Sequence, residues 1–255
     1  MIFLKSPEEI EKMSASGKMV AEILAEIRER IQPGVSTQEL DQLASRLCLK
    51  KKALPAFKGY HGFPFSLCVS VNEEVVHGFP SGRRLKEGDI VSLDFGVCLD
   101  GYYGDAALTQ AVGRVSSQAE QLIKTTRDSL FKGLEQARAG NRLGDISFAV
   151  QHHVEGRSFS VVRQFVGHGI GKALHEDPQI PNFGEAGRGI LLKPGMVLAI
   201  EPMVNAGGSE VEIKADGWTA VTKDHSLSAH FEHTIAIMEN GCRILTQAGQ
   251  DTALF

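Results

Sequence analysis

Two aspartates in the segment "LDFGVCLDGYYGDA" (residues 93–106) are the first candidates for chemistry. Asp94 follows the apolar run "GDIVSL", which is typical of a buried strand, and an unpaired carboxylate is costly in such a place. The Asp-Gly pair that begins at Asp100 predicts a two-residue hairpin turn, so we interpret Asp100 as a turn residue. Pairing across this turn puts Asp94 and Asp105 on one face of the hairpin, diagonally opposed. Their backbones are then roughly 7–8 Å apart, within side-chain reach of a common ion.

A cation between these two carboxylates is expected, because otherwise they would repel and raise each other's pKa. Neither strand offers a lysine or arginine, so a divalent metal ion is the better candidate. Further ligand candidates are Glu201 in "LAIEPMV", Glu232 in "AHFEHTIAI" and His168 in "VGHGIG". Four carboxylates and an imidazole suit two divalent ions bridged by carboxylates and water. Two-metal sites of this kind occur in phosphatases, nucleases and aminopeptidases.

Each candidate also has a purely structural interpretation. A lone acid in a strand is often an edge or bulge residue, and a lone histidine is often a hydrogen-bonded loop residue. From the residues alone, His77 in "VVHGFP" and His175 in "ALHEDP" are better explained as loop caps. Glu232 is flanked by His230 and His233, and strand alternation puts His233 on the opposite face. The stretch "GHGIGK" resembles a phosphate cradle, but it lacks the spacing and the Ser/Thr of a P-loop.

The helices and strands that position these residues can be predicted from helix-capping residues and from the periodicity of apolar residues. Ser6, followed by Pro and Glu, begins one amphipathic helix, and Ser36 begins a second in the same way. A third helix is predicted from Ser117 and a fourth at about residues 143–155. Apolar strands are predicted at "DIVSLDFGVCL", at "GMVLAIEPMV" and in the tail through "HFEHTIAIM".

An internal repeat relates the two halves of the chain. "KEGDIVSLDF" (residues 86–95) aligns with "KPGMVLAIEP" (residues 193–202) at an offset of 107, and "QPGVSTQELDQL" aligns with "RAGNRLGDISFA" at an offset of 106. Each half therefore reads helix, helix, Lys-x-Gly and apolar strand, with an acid at the same strand position, Asp94 or Glu201. We expect a duplicated α+β unit with a pseudo-twofold axis, across which the two acids face one site.

Composition narrows the class of protein. The chain has 255 residues and a net charge of −4, with a pI near 6.1 and a mean hydropathy of −0.09. We therefore expect no direct nucleic-acid reading and no membrane association. The four cysteines are scattered, which argues against a disulfide framework and against a thiolate zinc site. The start "MIFLKSPEEIEKM" lacks the apolar region of a signal peptide, so a cytoplasmic location is expected.

Taken together, the motifs resemble those of bacterial type I methionine aminopeptidases over nearly the whole chain. The resemblance rests on "NEEVVHGFP", "DFG…DGYYGDAA", "GHGIGKALHEDP", "IEPM" and "HFEHT". It implies the pita-bread fold, an α+β architecture with two pseudo-twofold-related helix–helix–strand halves around a central antiparallel sheet. We expect one catalytic domain over residues 1–255, with halves of approximately 1–112 and 113–255.

The resemblance implies two divalent ions, Co, Mn, Fe or Zn. Asp94 would bind one ion in bidentate fashion, Asp105 and Glu232 would bridge both, and His168 and Glu201 would complete the other. A water bridging the metals would attack the carbonyl of residue one and remove an N-terminal methionine, with Glu201 as proton acceptor. His77 and His175 would flank the scissile amide, which reverses the loop interpretation of both. The methionine side chain would be bound by His77 together with four further residues, Tyr60, Phe63, Cys68 and Trp218.

The same resemblance implies N-termini of nascent polypeptides as partners. A transient association with the ribosome is compatible with that substrate, and a monomer is expected. Phe57 and Leu174 differ in size from the residues of some relatives at these pocket positions. Two alternatives stay open: a peptidase specific for Xaa-Pro bonds with the same fold, and a non-catalytic binding module of the pita-bread type.

Overall fold

The computed structural model describes residues 2–247. Within this part of the chain there are four α-helices, namely α1 Pro7–Arg28, α2 Thr37–Lys50, α3 Ser117–Gln136 and α4 Leu143–Glu155. It also contains fifteen strands: β1 Leu54–Pro55, β2 Cys68–Val71, β3 Glu74–Val76, β4 Ile90–Leu99, β5 Tyr102–Ala111, β6 Ser160–Val161, β7 Gly167–Gly169, β8 Glu176–Ile180, β9 Val197–Ile200, β10 Met203–Asn205, β11 Val211–Ile213, β12 Ala220–Thr222, β13 Ser228–His230, β14 Glu232–Met238 and β15 Gly241–Ile244.

The helix starts follow the predicted caps. Ser6 accepts a hydrogen bond from the Glu9 backbone N–H, and the Glu9 carboxylate accepts one from the Ser6 N–H. Ser36 and Glu39 form the same reciprocal cap on α2. Each cap satisfies backbone donors that the first helical turn leaves without partners. All four predicted helices are present.

Nine of the described strands form the central sheet, in the order β1-β4-β5-β14-β9-β7-β8, with β2 beside β4 and β15 beside β14. All of its pairings are antiparallel. The first half of the chain supplies β4 and β5, the second half supplies β14 and β9, and the halves meet where β5 pairs with β14. The predicted α+β class with a central antiparallel sheet is confirmed.

The hairpin of β4 and β5 has the predicted register. Leu99 pairs with Tyr102, and Gly96 pairs with Asp105. At the turn, Asp100 has φ 51° and Gly101 has φ 80°, the left-handed conformation that such a turn requires. Asp100 is therefore a turn residue, as its sequence context indicates.

One predicted strand is wrong in extent. "GMVLAIEPMV" was expected to form a single strand, but β9 ends at Ile200 and β10 begins at Met203. Glu201 and Pro202 lie between them. Proline has no N–H to donate to a sheet, so the ladder breaks there. Glu201 thus stands at a strand end and not inside a strand.

The two faces of the β4–β5 hairpin have different neighbours. Phe95, Val97 and Ala106 are fully buried in the main core cluster, together with apolar residues of α1 and α2. Because side chains alternate along a strand, Asp94 and Asp105 point to the other face. The helices therefore cover one face of the sheet and leave the acids to the opposite face.

Helix α1 approaches β5 so closely that only glycine fits at the contact. A Cβ placed on Gly104 would lie 2.7 Å from the Gly17 backbone N.

Among the described residues no helix is long and apolar enough to cross a membrane.

Gly104→Ala should test this contact. The added methyl group meets backbone, which cannot turn away, so we expect the free energy of unfolding to fall by roughly 1–3 kcal/mol. The matched control is Gly82→Ala, because a Cβ there meets no atom within 4 Å; its change should stay within about 0.5 kcal/mol. Urea denaturation measures both, and equal stabilities would contradict this account of the packing.

Candidate metal centre and active site

The strand registers align the candidate ligands in two rows across one face of the sheet. In the first row, Asp94 pairs with Ala107, and Ala107 pairs with Glu232. Extending the β9–β14 register by one residue places Glu201 opposite Glu232. Cys68 pairs with Asp94 on the other side. Since directly opposed residues in antiparallel strands share a face, all these side chains point the same way.

The second row lies two residues along each strand. It contains Asp105 opposite Gly96, and His168 opposite Ala199. Ala199 pairs with Thr234 of β14, and Thr234 exchanges hydrogen bonds with the Asp105 backbone. Neighbouring strands are about 4.8 Å apart, so side chains carried by five neighbouring strands converge. Small residues between the acids leave room for an ion above the sheet.

The ligand atoms are close together and buried. One ligand atom each from Asp105, His168 and Glu232 lie within 4.8 Å of one another. Glu201 Oε1 lies 3.5 Å from His168 Nε2. Among the described residues, Asp94 Oδ1, Asp105 Oδ1 and Glu232 Oε1 are buried without a hydrogen-bond partner. Such orphaned oxygens in one cluster are what a metal site looks like when only its protein ligands are considered.

Protonation states in the metal-free cluster follow from burial. Burial raises the pKa of Asp105 and Glu232 well above ordinary values, and repulsion from the neighbouring carboxylates raises it further. Burial likewise raises the pKa of Glu201. It lowers the pKa of His168 to about 3, which keeps this imidazole neutral. Within residues 2–247, no lysine or arginine lines the cavity. The donor set therefore fits divalent cations.

His175 is held beside the cluster by contacts on both sides. Its Nδ1 lies 2.8 Å from the Tyr60 hydroxyl, and its ring centroid lies 4.3 Å from that of His168. The next residue, Glu176, forms a 2.5 Å ion pair with Lys5, and both side chains are largely buried. Glu176 also accepts backbone hydrogen bonds from its own loop. The N-terminal segment thus anchors the loop that carries His175.

His77 occupies an unusual backbone conformation at the mouth of the cluster. Its φ is 59°, a costly value for a non-glycine residue that is often found at functional sites. Its ring centroid lies 5.4 Å from that of Phe165 and 6.2 Å from that of Trp218. Burial is the largest of the effects that lower the pKa of His77 to about 4, and the nearby His230 and His175 contribute to the same shift. The His77 ring is neutral at neutral pH.

A cavity of about 180 Å³ is lined both by the acids and by apolar side chains. Its aromatic wall includes Phe63 and Trp218, whose ring centroids are 5.2 Å apart. A cavity of about 150 Å³ holds a molecule the size of benzene, so this one has room for a single side chain. All eleven site residues predicted from the sequence line it: Tyr60, Phe63, Cys68, His77, Asp94, Asp105, His168, His175, Glu201, Trp218 and Glu232. Phe57 and Leu174 line it as well.

Two histidines near the site were not predicted. His61 lines the cavity next to Tyr60. His230 is 1% exposed, and its Nε2 lies 3.6 Å from Glu201 Oε2. The two-residue spacing between His230 and Glu232 is a sequence signal for a shared face. His233 instead bonds Thr246, away from the acids, as alternation predicted.

Carboxylates, imidazoles and an enclosed apolar cavity on this curled antiparallel sheet define a metal-dependent peptidase of the pita-bread class. The model of metallopeptidase family M24 matches residues 11–239, so the chain belongs to that family. A methionine aminopeptidase of Clostridium perfringens is 55% identical over 246 residues, covering 96% of this chain and 99% of that protein. These similarities confirm the resemblance to bacterial type I methionine aminopeptidases.

Solved structures agree with this assignment. The crystal structure of a methionine aminopeptidase from Thermotoga maritima has a TM-score of 0.95 and 52% identity, covering 96% of this chain and 99% of that one. A prolidase from Pyrococcus horikoshii shares the fold with a TM-score of 0.79 at 21% identity, and this chain covers 65% of its length. The pita-bread fold predicted from the motifs is confirmed.

Metal stabilisation of the protein should increase with pH. The buried carboxyl groups hold protons to higher pH than ordinary carboxyls, and a divalent ion must displace those protons. Affinity for the ion therefore rises as pH rises through the elevated pKa values, while neutral His168 does not oppose it. We expect the gain in Tm on adding Mn²⁺ to be larger at a pH of about 8 than at about 5.5.

Asp105→Asn should reduce that gain at both pH values. The matched control is Asp100→Asn, which makes the same charge change at the exposed hairpin turn and should leave the gain unaltered. Thermal unfolding with and without Mn²⁺ measures the gain. A gain that is constant with pH would contradict the assignment of these carboxyls as ligands.

Proposed function

We propose that this protein is a metal-dependent aminopeptidase that removes the N-terminal methionine from proteins and peptides. The observation that carries the proposal is one cavity of about 180 Å³ whose lining combines aromatic side chains with the carboxylate–imidazole cluster. Methionine is unbranched, and its sulfur is attracted to aromatic rings, so it suits a wall that contains Phe63 and Trp218.

Five residues would hold two divalent ions. The residues that would hold them are Asp94, Asp105, His168, Glu201 and Glu232, which line one cavity. The donor set accommodates Co, Mn, Fe or Zn. When bound, the ions polarise the scissile carbonyl and lower the pKa of a nearby water.

Three side chains of the protein would carry the other roles. Glu201 would accept the proton of the attacking water, because its carboxylate lies in the cluster, 3.5 Å from His168. The Tyr60 hydroxyl lies 2.8 Å from Nδ1 of His175, and as the donor in this pair it would leave the ring proton on Nε2. His175 then donates this proton in a hydrogen bond to the carbonyl oxygen as negative charge develops there. His77, with its ring fixed against Phe165, orients the amide.

The shape of the site favours cleavage after one residue. The aromatic wall of the first cavity would take the side chain of residue one, and the free amine would lie against the carboxylates. A second cavity shares His77, His168 and Glu201 with the first and continues along Phe165 and Gln179. This second cavity would take the remainder of the polypeptide.

The cellular context follows from this activity. The substrates would be N-termini of nascent polypeptides in the cytoplasm, reached by a monomer with transient ribosome association. Residues 1–255 would form a single catalytic domain. The retained ligand set argues against a non-catalytic binding module.

The deciding experiment compares peptides. Purified protein treated with a chelator and then supplied with Mn²⁺, Fe²⁺, Co²⁺ or Zn²⁺ should release methionine from Met-Gly peptides and leave Xaa-Pro peptides intact. Cleavage of Xaa-Pro bonds instead would establish the alternative peptidase. No cleavage with any of the metals would favour the binding module.

His175→Ala should lower kcat by roughly 10²–10³, the usual effect of removing one donor to a developing oxyanion. The matched control is His152→Ala, an exposed histidine on α4 that lies outside both cavities. Circular dichroism should show both variants folded. An unchanged kcat in folded His175→Ala would reject the role of this histidine.

A further inference from the structure

We propose that His230 is a positioning residue that holds the Glu201 carboxylate in its working orientation. This inference deepens the proposed function and rests on it, since it assigns Glu201 as ligand and proton acceptor. His230 itself does not line either cavity of the site. Its role is to donate from Nε2 to the Glu201 oxygen that faces away from His168.

The backbone of His230 is fixed independently of its ring. Its N–H donates to the Thr109 hydroxyl at 2.8 Å, and its C=O accepts from that same hydroxyl at 2.9 Å. Thr109 Oγ1 in turn lies 2.8 Å from Ser92 Oγ. On the other edge, His230 pairs with Met203, just after the break that contains Glu201. Strand pairing therefore places the His230 ring next to the Glu201 carboxylate.

The His230 ring is buried and lacks a hydrogen-bond partner among the described residues, which is a costly combination. It is 1% exposed, and neither ring nitrogen has a hydrogen-bond partner among residues 2–247. A buried donor without a partner is costly, because it has given up its hydrogen bond to water. Glu201 Oε2 lies 3.6 Å from Nε2, slightly beyond hydrogen-bond length, so a small rotation of the carboxylate closes the contact.

Glu201 stands between two imidazoles. Its Oε1 lies 3.5 Å from His168 Nε2, and its Oε2 lies 3.6 Å from His230 Nε2. His168 belongs to the candidate ligand set, so Oε1 faces the ions. A hydrogen-bond donor at Oε2 then prevents the carboxylate from rotating Oε1 away from the candidate ligand cluster. Outer partners of metal ligands typically contribute 10–100-fold in affinity or activity.

Substitutions separate a hydrogen bond from mere packing. Glutamine places an amide N–H near the position of Nε2, asparagine places one near Nδ1, and leucine offers none. We expect His230→Leu and His230→Asn to weaken Mn²⁺ affinity and kcat/KM about 10–100-fold. His230→Gln should recover most of both. Mn²⁺ affinity is measured by titration against the electron paramagnetic resonance signal of the free ion.

The matched control is His233→Gln, which removes a neighbouring buried imidazole on the opposite face. It should leave Mn²⁺ affinity unchanged even where it lowers Tm. Wild-type affinity and kcat/KM in folded His230→Leu would overturn the inference, as would a glutamine variant no better than asparagine. If leucine prevents folding, the glutamine and asparagine pair decides.

The design also separates this inference from the proposed function. If the wild type releases no methionine from Met-Gly peptides, the proposed function fails. The order of Mn²⁺ affinities, wild type and glutamine above asparagine and leucine, then still supports or overturns the positioning of Glu201.

Discussion

Repulsion among four clustered carboxylates is the constraint on which the rest of the structure depends. Asp94, Asp105, Glu201 and Glu232 share one face of the sheet, and within the described residues no lysine or arginine enters their cavity. Burial and mutual repulsion favour their protonated forms, so charge in this cluster is stable only with cations between the oxygens. The fold supplies the geometry for this, since two rows of opposed residues bring side chains from five strands together.

The binding cavity is a direct extension of the same rows. Cys68 lies opposite Asp94 on the outer side, so the row that carries the acids continues into the apolar wall. Cys68 and Asp94 are therefore separated by about one strand spacing. In the proposed function, the substrate cavity and the metal site would depend on a single register, since a one-residue slip of β2 would turn Cys68 away from the cavity.

Much of the fold and of the candidate site can be predicted from short-range sequence motifs and from the internal repeat. The Asp-Gly turn fixes the register that aligns Asp94 with Asp105, and the repeat relates Asp94 to Glu201. The break at Pro202 was missed because the apolar run continues on both sides. The bond from Tyr60 to His175 joins residues 115 positions apart, and no local pattern encodes such a contact. His77 and His175 could be assigned only from family motifs, since on their own they look like ordinary loop histidines.

The position of β14 has a consequence for synthesis of the chain. This strand lies between β5 and β9 in the sheet, yet it follows both in the sequence. Until the ribosome has produced it, each of those strands keeps an open edge of unpaired backbone groups, which is a template for association with other chains. Its arrival closes both edges at once and also delivers Glu232. The same strand therefore joins the two halves of the sheet and completes the candidate ligand cluster.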